Sequence, residues 1–122
     1  MISAAFTTDD GYNHYSGLAN CIFRMAAVSS LAIDNRDEYE FPRWSYAAHY
    51  PRLSHAWRDS YEKDDYPIVF KESSISYSKL PYIPNCRYSG YFLSDKYFRH
   101  NWQEIQRLFR LSDPTVDACG VH

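Results

Sequence analysis

The sequence predicts a single α/β domain that spans residues 1–122. Short apolar stretches rich in β-branched and aromatic residues recur along the chain and predict strands, because each is bounded by turn-forming residues. Two longer stretches carry apolar residues at three- and four-residue steps and predict helices. The order of strand, helix and strand at the start of the chain is typical of a sheet with flanking helices.

Composition limits the kinds of partner that the chain can have. The sequence holds 13 Lys and Arg against 15 Asp and Glu, for a formal net charge of −2. This balance gives no electrostatic basis for binding phosphate backbones, so we expect no nucleic-acid partner. Twelve Tyr and three Trp supply large side chains with polar ends. They predict a core that is aromatic and partly polar.

The cysteine pattern and the absence of long apolar runs indicate the cellular compartment of the protein. Cys21, Cys86 and Cys119 lie far apart without Cys-x-x-Cys spacing, and their odd number leaves one thiol unpaired in any disulfide scheme. No stretch approaches the roughly 20 apolar residues that a membrane span needs, and residues 1–8 lack the features of a signal peptide. The sequence therefore predicts a cytoplasmic protein without a transmembrane segment.

The first half of the chain contains one clear helix. Residues 2–8 predict a buried strand that runs into a polar loop. Residues 17–35 contain no Pro and no Gly after Gly17, and small or apolar neighbours widen a helical stripe formed by Leu18, Ile22, Met25, Ser29 and Ile33. Such a helix belongs in the interior, against a sheet. Residues 38–41 predict a short strand, and residues 51–62 a further helix.

The second half alternates between strands and a final helix. Residues 67–70, 74–80 and 86–92 predict strands, the last of them broken by Gly90. A helix is expected within residues 95–111, where Phe98, Trp102, Ile105 and Phe109 share one face. Asn101 and Glu104 have the spacing of a capping box for a helix that begins at Trp102. Residues 116–122 predict the start of another strand.

The best candidate site is the junction of the first strand and the first helix, at residues 16–20. Ligands of open α/β sheets bind at the carboxyl ends of strands, where helix amino termini offer free N–H groups. Gly17 permits close approach of a ligand to the backbone, and Asn20 can donate and accept hydrogen bonds. A structural interpretation also stays open, in which Gly17 permits the turn and Asn20 caps the helix.

Other reactive side chains give weaker patterns. The five His show no metal-ligand spacing, so we expect no metal site. Asp9 and Asp10 lie on a polar loop that either binds a hydroxylated substrate or is simply solvated. Cys21 lies on the buried helix, where we expect it to pack as a small apolar residue rather than act as a nucleophile.

Three separated segments carry a family resemblance. The first comprises residues 17–23, Gly-Leu-Ala-Asn-Cys-Ile-Phe. The second comprises residues 90–98, Gly-Tyr-Phe-Leu-Ser-Asp-Lys-Tyr-Phe, and is preceded by Phe70-Lys71-Glu72, Tyr77 and Leu80-Pro81-Tyr82. Residues 119–122, Cys-Gly-Val-His, end on a histidine. In this order the segments resemble motifs of the bacterial α-1,2-fucosyltransferases, glycosyltransferase family 11. The family has Gly where this chain has Ala19, and Gln where it has Cys21 and Leu93.

The resemblance implies a fold and a reaction. The fold is a Rossmann-like open sheet with flanking helices, as in the amino-terminal half of a GT-B glycosyltransferase. The reaction is an inverting transfer of a sugar, usually fucose, from a GDP-sugar donor to a hydroxyl of a glycan acceptor, without a metal or other cofactor. Among the matching positions, Gly17, Leu18, Asn20 and His122 are implied to bind donor or acceptor, with Asn20 orienting the acceptor or the diphosphate. The aromatic residues of 91–98 are implied to frame the domain.

The resemblance also implies that the chain is catalytically incomplete. In the family, His122 would open a His-x-Arg-Arg-Gly-Asp motif whose arginines stabilise charge on the diphosphate, and the printed sequence does not contain them. The donor-binding carboxyl-terminal domain is then absent, and the surface that would face it can support a homo-oligomer. The alternative hypothesis is a small intracellular binding or assembly module without catalytic activity.

Overall fold

The computed structural model describes residues 1–5, 18–43, 47–59, 61, 65–73 and 76–110, with residues 18–20 described by their backbone alone. The strands and helices are, in chain order, β1 (Ile2–Ala4), α1 (Leu18–Asp34), β2 (Tyr39–Pro42), β3 (Trp57–Arg58), β4 (Ile68–Lys71), β5 (Cys86–Ser89) and α2 (Trp102–Leu108). Short 3-10 helices occur at Ala47–His49, Pro51–Ala56, Asp95–Tyr97 and Arg99–Asn101.

The five strands form one parallel sheet in the order β3-β2-β1-β5-β4. This architecture confirms the predicted α/β class, a Rossmann-like open sheet with flanking helices. Because β1 and β2 are parallel, the chain must return between them from the carboxyl end of one strand to the amino end of the other, and α1 makes this return. The start of α1 therefore lies at the carboxyl edge of the sheet.

The strand register divides the sheet into two chemically different faces, since side chains alternate along each strand. We call the first the helix-covered face; its residues are Ile2, Ala4, Tyr39, Phe41, Trp57, Ile68, Phe70, Cys86 and Tyr88. We call the second the polar face; its residues are Ser3, Glu40, Pro42, Arg58, Val69, Lys71, Arg87 and Ser89. The hydrophobic core joins the first set to α1 and α2.

Helix α1 is confirmed over nearly the predicted range. Almost all its described residues from Cys21 to Ala32 are buried or half-buried, as expected for a helix in the interior. It ends where Arg36 adopts a left-handed backbone conformation with φ 54° and the N–H of Asp37 bonds to the carbonyl of Ala32 at 2.9 Å. This arrangement satisfies a carbonyl of the last helical turn.

The predicted helix over residues 51–62 is wrong. A 3-10 helix covers Pro51–Ala56, and the chain then extends to form β3. Trp57 pairs with Phe41 in the neighbouring strand, and the N–H of Arg43 bonds to the carbonyl of Arg58 at 2.9 Å. Pairing with β2 thus outweighs the local helical spacing, as tertiary context commonly does.

The predicted strand over residues 74–80 is not formed in its described part, residues 76–80. The N–H of Ser78 bonds to the hydroxyl of Tyr97 at 3.3 Å instead of to a strand. The strand predicted at 86–92 is confirmed over Cys86–Ser89, and that at 67–70 becomes β4. Residues 6–8 and 116–122, where strand structure was also predicted, lie outside the described residues.

The final helix is shorter than expected. Two 3-10 helices precede α2, which begins at Trp102, the start that the capping-box spacing requires. The capping box is wrong, because the amide of Asn101 donates to Ser30 Oγ at 2.7 Å and to Asp34 Oδ1 at 3.0 Å, not to its own helix. Glu104 pairs with Arg107. Asn101 therefore ties α2 to α1 rather than capping it.

Candidate functional site

The predicted site residues fall at the carboxyl edge of the sheet or outside the described chain. Leu18 and Asn20 lie in the first turn of α1. The amino-terminal N–H groups of such a helix have no partner within the helix and carry partial positive charge. Gly17 and His122 lie outside the described residues, as do Asp9 and Asp10. The structure thus places two of the four candidates at one edge.

Arg24 brings a buried positive charge to this edge. Its side chain extends from the second turn of α1 and the residue is 3% exposed. Its Nε donates a 2.6 Å hydrogen bond to the carbonyl of Gly90, which directly follows β5. The guanidinium lies 5.2 Å from the centre of the Tyr91 ring. Arg24 therefore connects α1 to the loop at the carboxyl end of β5.

Glu72 connects the carboxyl ends of β4 and β5. It directly follows β4, and its N–H bonds to the carbonyl of Ser89 at 2.8 Å. Its carboxylate accepts hydrogen bonds from the N–H of Tyr91 at 3.0 Å and from the N–H of Phe92 at 3.2 Å. Phe92 adopts a left-handed backbone conformation with φ 50° and is fully buried. The carboxylate holds this uncommon conformation in place.

Gly90 is required by the close approach of these two loops. A Cβ atom added at this position would lie 2.5 Å from Cβ of Glu72 and 3.1 Å from the ring of Phe92. A contact of 2.5 Å cannot be accommodated without movement of one loop. The absence of a side chain at Gly90 therefore lets Glu72 reach the N–H groups of the following turn.

The charges at this edge influence one another. Burial lowers the pKa of Arg24, while Cys21, Tyr91 and Glu72 act in the opposite direction. Arginine nevertheless keeps its charge in proteins. Burial raises the pKa of the Cys21 thiol, against the opposing charge of Arg24. Cys21 is fully buried, which agrees with the prediction that it packs as a small apolar residue. The edge therefore combines the N–H groups at the start of α1 with a buried guanidinium that contacts Gly90 and Tyr91.

Sequence reasoning missed Arg24 and Glu72. A signal for Arg24 was present, since it is the single charged residue among the apolar and small residues 18–33. A lone charge on a buried helix requires a partner. Glu72 had no such signal, because its role depends on the adjacency of β4 and β5 in the sheet. Neither adjacency nor strand order can be read from either segment alone.

The described residues contain neither a metal-ligand cluster nor a membrane-spanning helix. No group of three or more His, Cys, Asp or Glu there is arranged to hold a metal ion. None of the helices described is long and apolar enough to cross a membrane.

Comparison of the sequence with protein-family models and with curated proteins, and of the fold with solved structures, finds no match.

Proposed function

We propose that this chain is the amino-terminal α/β domain of a glycosyltransferase similar to the GDP-fucose-dependent α-1,2-fucosyltransferases. The observation that carries the proposal is the meeting of distant motif segments at one edge of the sheet. Arg24 directly follows residues 17–23, Glu72 ends the Phe70-Lys71-Glu72 stretch, and Gly90 begins residues 90–98; they are joined by the hydrogen bonds described above. Segments that resemble one family in sequence thus also form one structural unit.

The position of this unit supports the proposal. Ligands of open α/β sheets bind outside the carboxyl ends of the strands. Sugar transfer from a nucleotide donor develops negative charge on the diphosphate as the sugar carbon–oxygen bond breaks, so positive groups at the site stabilise the transition state. The start of α1 and the guanidinium of Arg24 supply positive charge here. In this proposal Asn20 orients the acceptor or the diphosphate, and Gly17 allows close approach of the ligand to the backbone.

The proposed partners are a GDP-sugar and a glycan acceptor, with no metal. Catalysis also needs the arginine pair of the family motif that would follow His122. The 122 residues contain no adjacent pair of arginines. We therefore expect binding but no sugar transfer by this chain alone. A carboxyl-terminal domain bearing those arginines would complete the site.

An amide NMR titration of the 15N-labelled chain tests the proposal, with lactose as acceptor probe and GDP-fucose as donor probe. We expect chemical-shift changes to cluster at residues 17–21 and 90–92. Asn20→Ala should reduce these changes, whereas Asn35→Ala, a matched change at the far end of α1, should leave them intact. The absence of shifts at both segments with either probe would refute the proposal. Transfer of radiolabelled fucose by the chain alone would refute its incompleteness.

Exposed apolar surface favours the second candidate function, a binding or assembly module. A cavity of about 230 Å³ between α1 and α2 is lined almost entirely by apolar side chains, among them Phe23, Phe98 and Trp102. Trp102 is 50% exposed. On the edge strand β4, Ile68 and Val69 are 47% and 46% exposed, but they lie on opposite faces of the sheet and form no single patch. The contiguous apolar surface is the one at Trp102, and such surfaces mark interaction sites.

Sedimentation velocity separates the two candidates. A module that assembles through the apolar groove at Trp102 should form a concentration-dependent oligomer. Trp102→Ser should weaken this oligomer, whereas Gln103→Ser, a change at the exposed neighbouring residue, should not. A chain that sediments as a monomer at high micromolar concentration, and shows the sugar-dependent shifts, would favour the glycosyltransferase domain. Oligomers without such shifts would favour the assembly module.

A further inference from the structure

We propose that a cavity at the other end of α1 binds a sugar-sized organic anion, a molecule with one carboxylate or phosphate group. The cavity lies between the carboxyl-terminal half of α1 and two segments, residues 77–80 and 96–100. The cavity is separate from the start of α1, since the residues that α1 contributes to it, Ala27, Leu31 and Asp34, lie in the second half of that helix. The inference therefore does not depend on the proposed glycosyltransferase function.

The cavity has the size of a small ligand. Its volume is about 220 Å³, below the roughly 300–1,000 Å³ of pockets for drug-sized molecules. The side chains that give it its chemistry are Asp34, Tyr77, Lys79, Lys96, Tyr97 and His100. Charged, aromatic and apolar groups thus converge on a space that suits a monosaccharide bearing one charged group.

Two lysines supply the positive charge of the cavity. In the part of the chain that the structure describes, neither Lys79 nor Lys96 lies within ion-pair distance of a carboxylate. Asp95, the acidic neighbour of Lys96 in sequence, pairs instead with Arg99 at 2.9 Å. Both lysine ammonium groups therefore remain free to bind an anionic ligand, and their flexible side chains can close on it.

The acidic residue of the cavity is already engaged. Asp34 Oδ2 lies 2.7 Å from Nε2 of His100, and Oδ1 accepts a 3.0 Å hydrogen bond from the amide of Asn101. Both carboxylate oxygens are thus directed to the residues that precede α2. An incoming anion meets the two lysines without facing a free carboxylate. This arrangement favours an anion over a cation as the ligand.

The remaining walls suit the carbon skeleton of a sugar. The rings of Tyr77 and Tyr97 have their centres 4.8 Å apart, and the ammonium of Lys96 lies 5.7 Å from the centre of the Tyr77 ring. Ala27 and Leu31 of α1 provide an apolar floor. Tyr97 is 8% exposed and packs against Tyr77, which is 43% exposed, so Tyr77 is the ring that can contact the C–H groups of a sugar. A monosaccharide with one anionic group fits both this ring and the lysines.

An NMR titration of the 15N-labelled chain tests this site with four probes: glucose 6-phosphate, glucuronate, inorganic phosphate and glucose. We expect saturable shifts at residues 77–80 and 96–100 with at least one of the two sugar anions, and no saturable shifts with glucose. Binding of the phosphate ester alone would assign a phosphate as the anion, and binding of the uronate alone a carboxylate. Inorganic phosphate should bind more weakly than the better sugar anion, because it lacks the carbon skeleton.

Variants separate this site from the carboxyl edge. The double variant Lys79→Gln with Lys96→Gln should raise the Kd of the sugar anion at least tenfold, whereas Lys71→Gln, on β4, should leave it unchanged. In the unmodified chain, raising salt from 0.1 to 0.5 M should weaken binding because charges are screened. Equal binding of glucose, shifts confined to residues 17–21, or a Kd unchanged by both the double variant and salt would overturn the proposal.

Discussion

The two faces of the five-stranded sheet differ in how their side chains are stabilised. On the helix-covered face, Phe41 and Tyr88 are fully buried among the residues of α1 and α2. On the polar face, Glu40 accepts hydrogen bonds from Arg58 and Tyr66, each at 2.7 Å. One face removes apolar surface from water, and the other satisfies polar groups through a hydrogen-bonded network. Burial of apolar surface on the helix-covered face stabilises the fold but does not depend on the orientation of the side chains. The hydrogen bonds of the polar face depend on orientation and therefore determine which side chains pair.

The polar face is unusual for a parallel sheet. Such sheets are normally covered by helices on both faces and their strands are apolar throughout. Here the guanidinium groups of Arg58 and Arg87 each lie 4.8 Å from the centre of the Tyr61 ring, and Ser3 Oγ lies 3.3 Å from the Tyr61 hydroxyl. Among the described residues, tyrosine rings rather than a helix cover part of this face. Their hydroxyls meet the polar groups that an apolar helix would leave unpaired.

The comparison predicts the largest loss of stability on the helix-covered face. Phe41→Ala should lower the free energy of unfolding by about 3–5 kcal/mol, because a fully buried ring is lost and a cavity remains. Val69→Ala, on the polar face at 46% exposure, is the matched control and should change it much less. Urea denaturation followed by tryptophan fluorescence measures both. Similar losses of unfolding free energy in the two variants would show that the helix-covered face does not contribute more to stability than the polar face.

The two-faced pattern was only partly visible in the sequence. Cys86-Arg-Tyr-Ser alternates apolar and polar residues as β5 requires, but the clearest alternation lay at residues 74–80, of which the described part is not a strand. Strands of two to four residues are too short for periodicity to separate them from turns. Trp57 and Arg58 illustrate this limit, since β3 exists only through its pairing with β2.

A smaller loss is expected from the network of the polar face. Tyr66→Phe removes the hydroxyl that donates to the Glu40 carboxylate while it keeps the ring over Arg87. Hydrogen bonds to charged groups contribute about 1.5–3 kcal/mol, and a loss within this range is expected from denaturant unfolding. Tyr77→Phe, at an exposed ring, should change stability little. If the two variants are equally stable, the network does not contribute to the stability of the fold.

The candidate site was predictable to the extent that it depends on local sequence. The start of α1 follows from the apolar stripe that begins at Leu18 and from Gly17, so the position of Asn20 in the first turn was expected. The contacts of Arg24 with Gly90 and of Glu72 with Tyr91 join residues 66 and 19 positions apart. They arise from strand order, in which β5 inserts between β1 and β4. Local patterns do not contain that order.

The smallest expected loss of stability at neutral pH comes from removing a polar group on the helix-covered face. The Tyr88 hydroxyl donates to the carbonyl of Pro81 at 2.7 Å and accepts from the N–H of Ile83 at 3.0 Å. Tyr88→Phe should therefore cost about 1–2 kcal/mol near pH 7, because two neutral hydrogen bonds are lost and both partner groups are only part-buried. Thermal unfolding monitored by circular dichroism measures this difference.

The same hydroxyl gives a distinct dependence on pH. Burial raises the pKa of Tyr88 from 10.0 to about 12. Between these values the unfolded chain binds fewer protons at this group than the folded chain does, so stability falls as pH rises from about 10 to about 12. Tyr88→Phe removes this contribution, and the stability of the variant should decline less over that interval. Parallel declines in the two proteins would show that the folded structure does not hold the Tyr88 proton, and that its hydrogen bond to Pro81 contributes nothing at high pH.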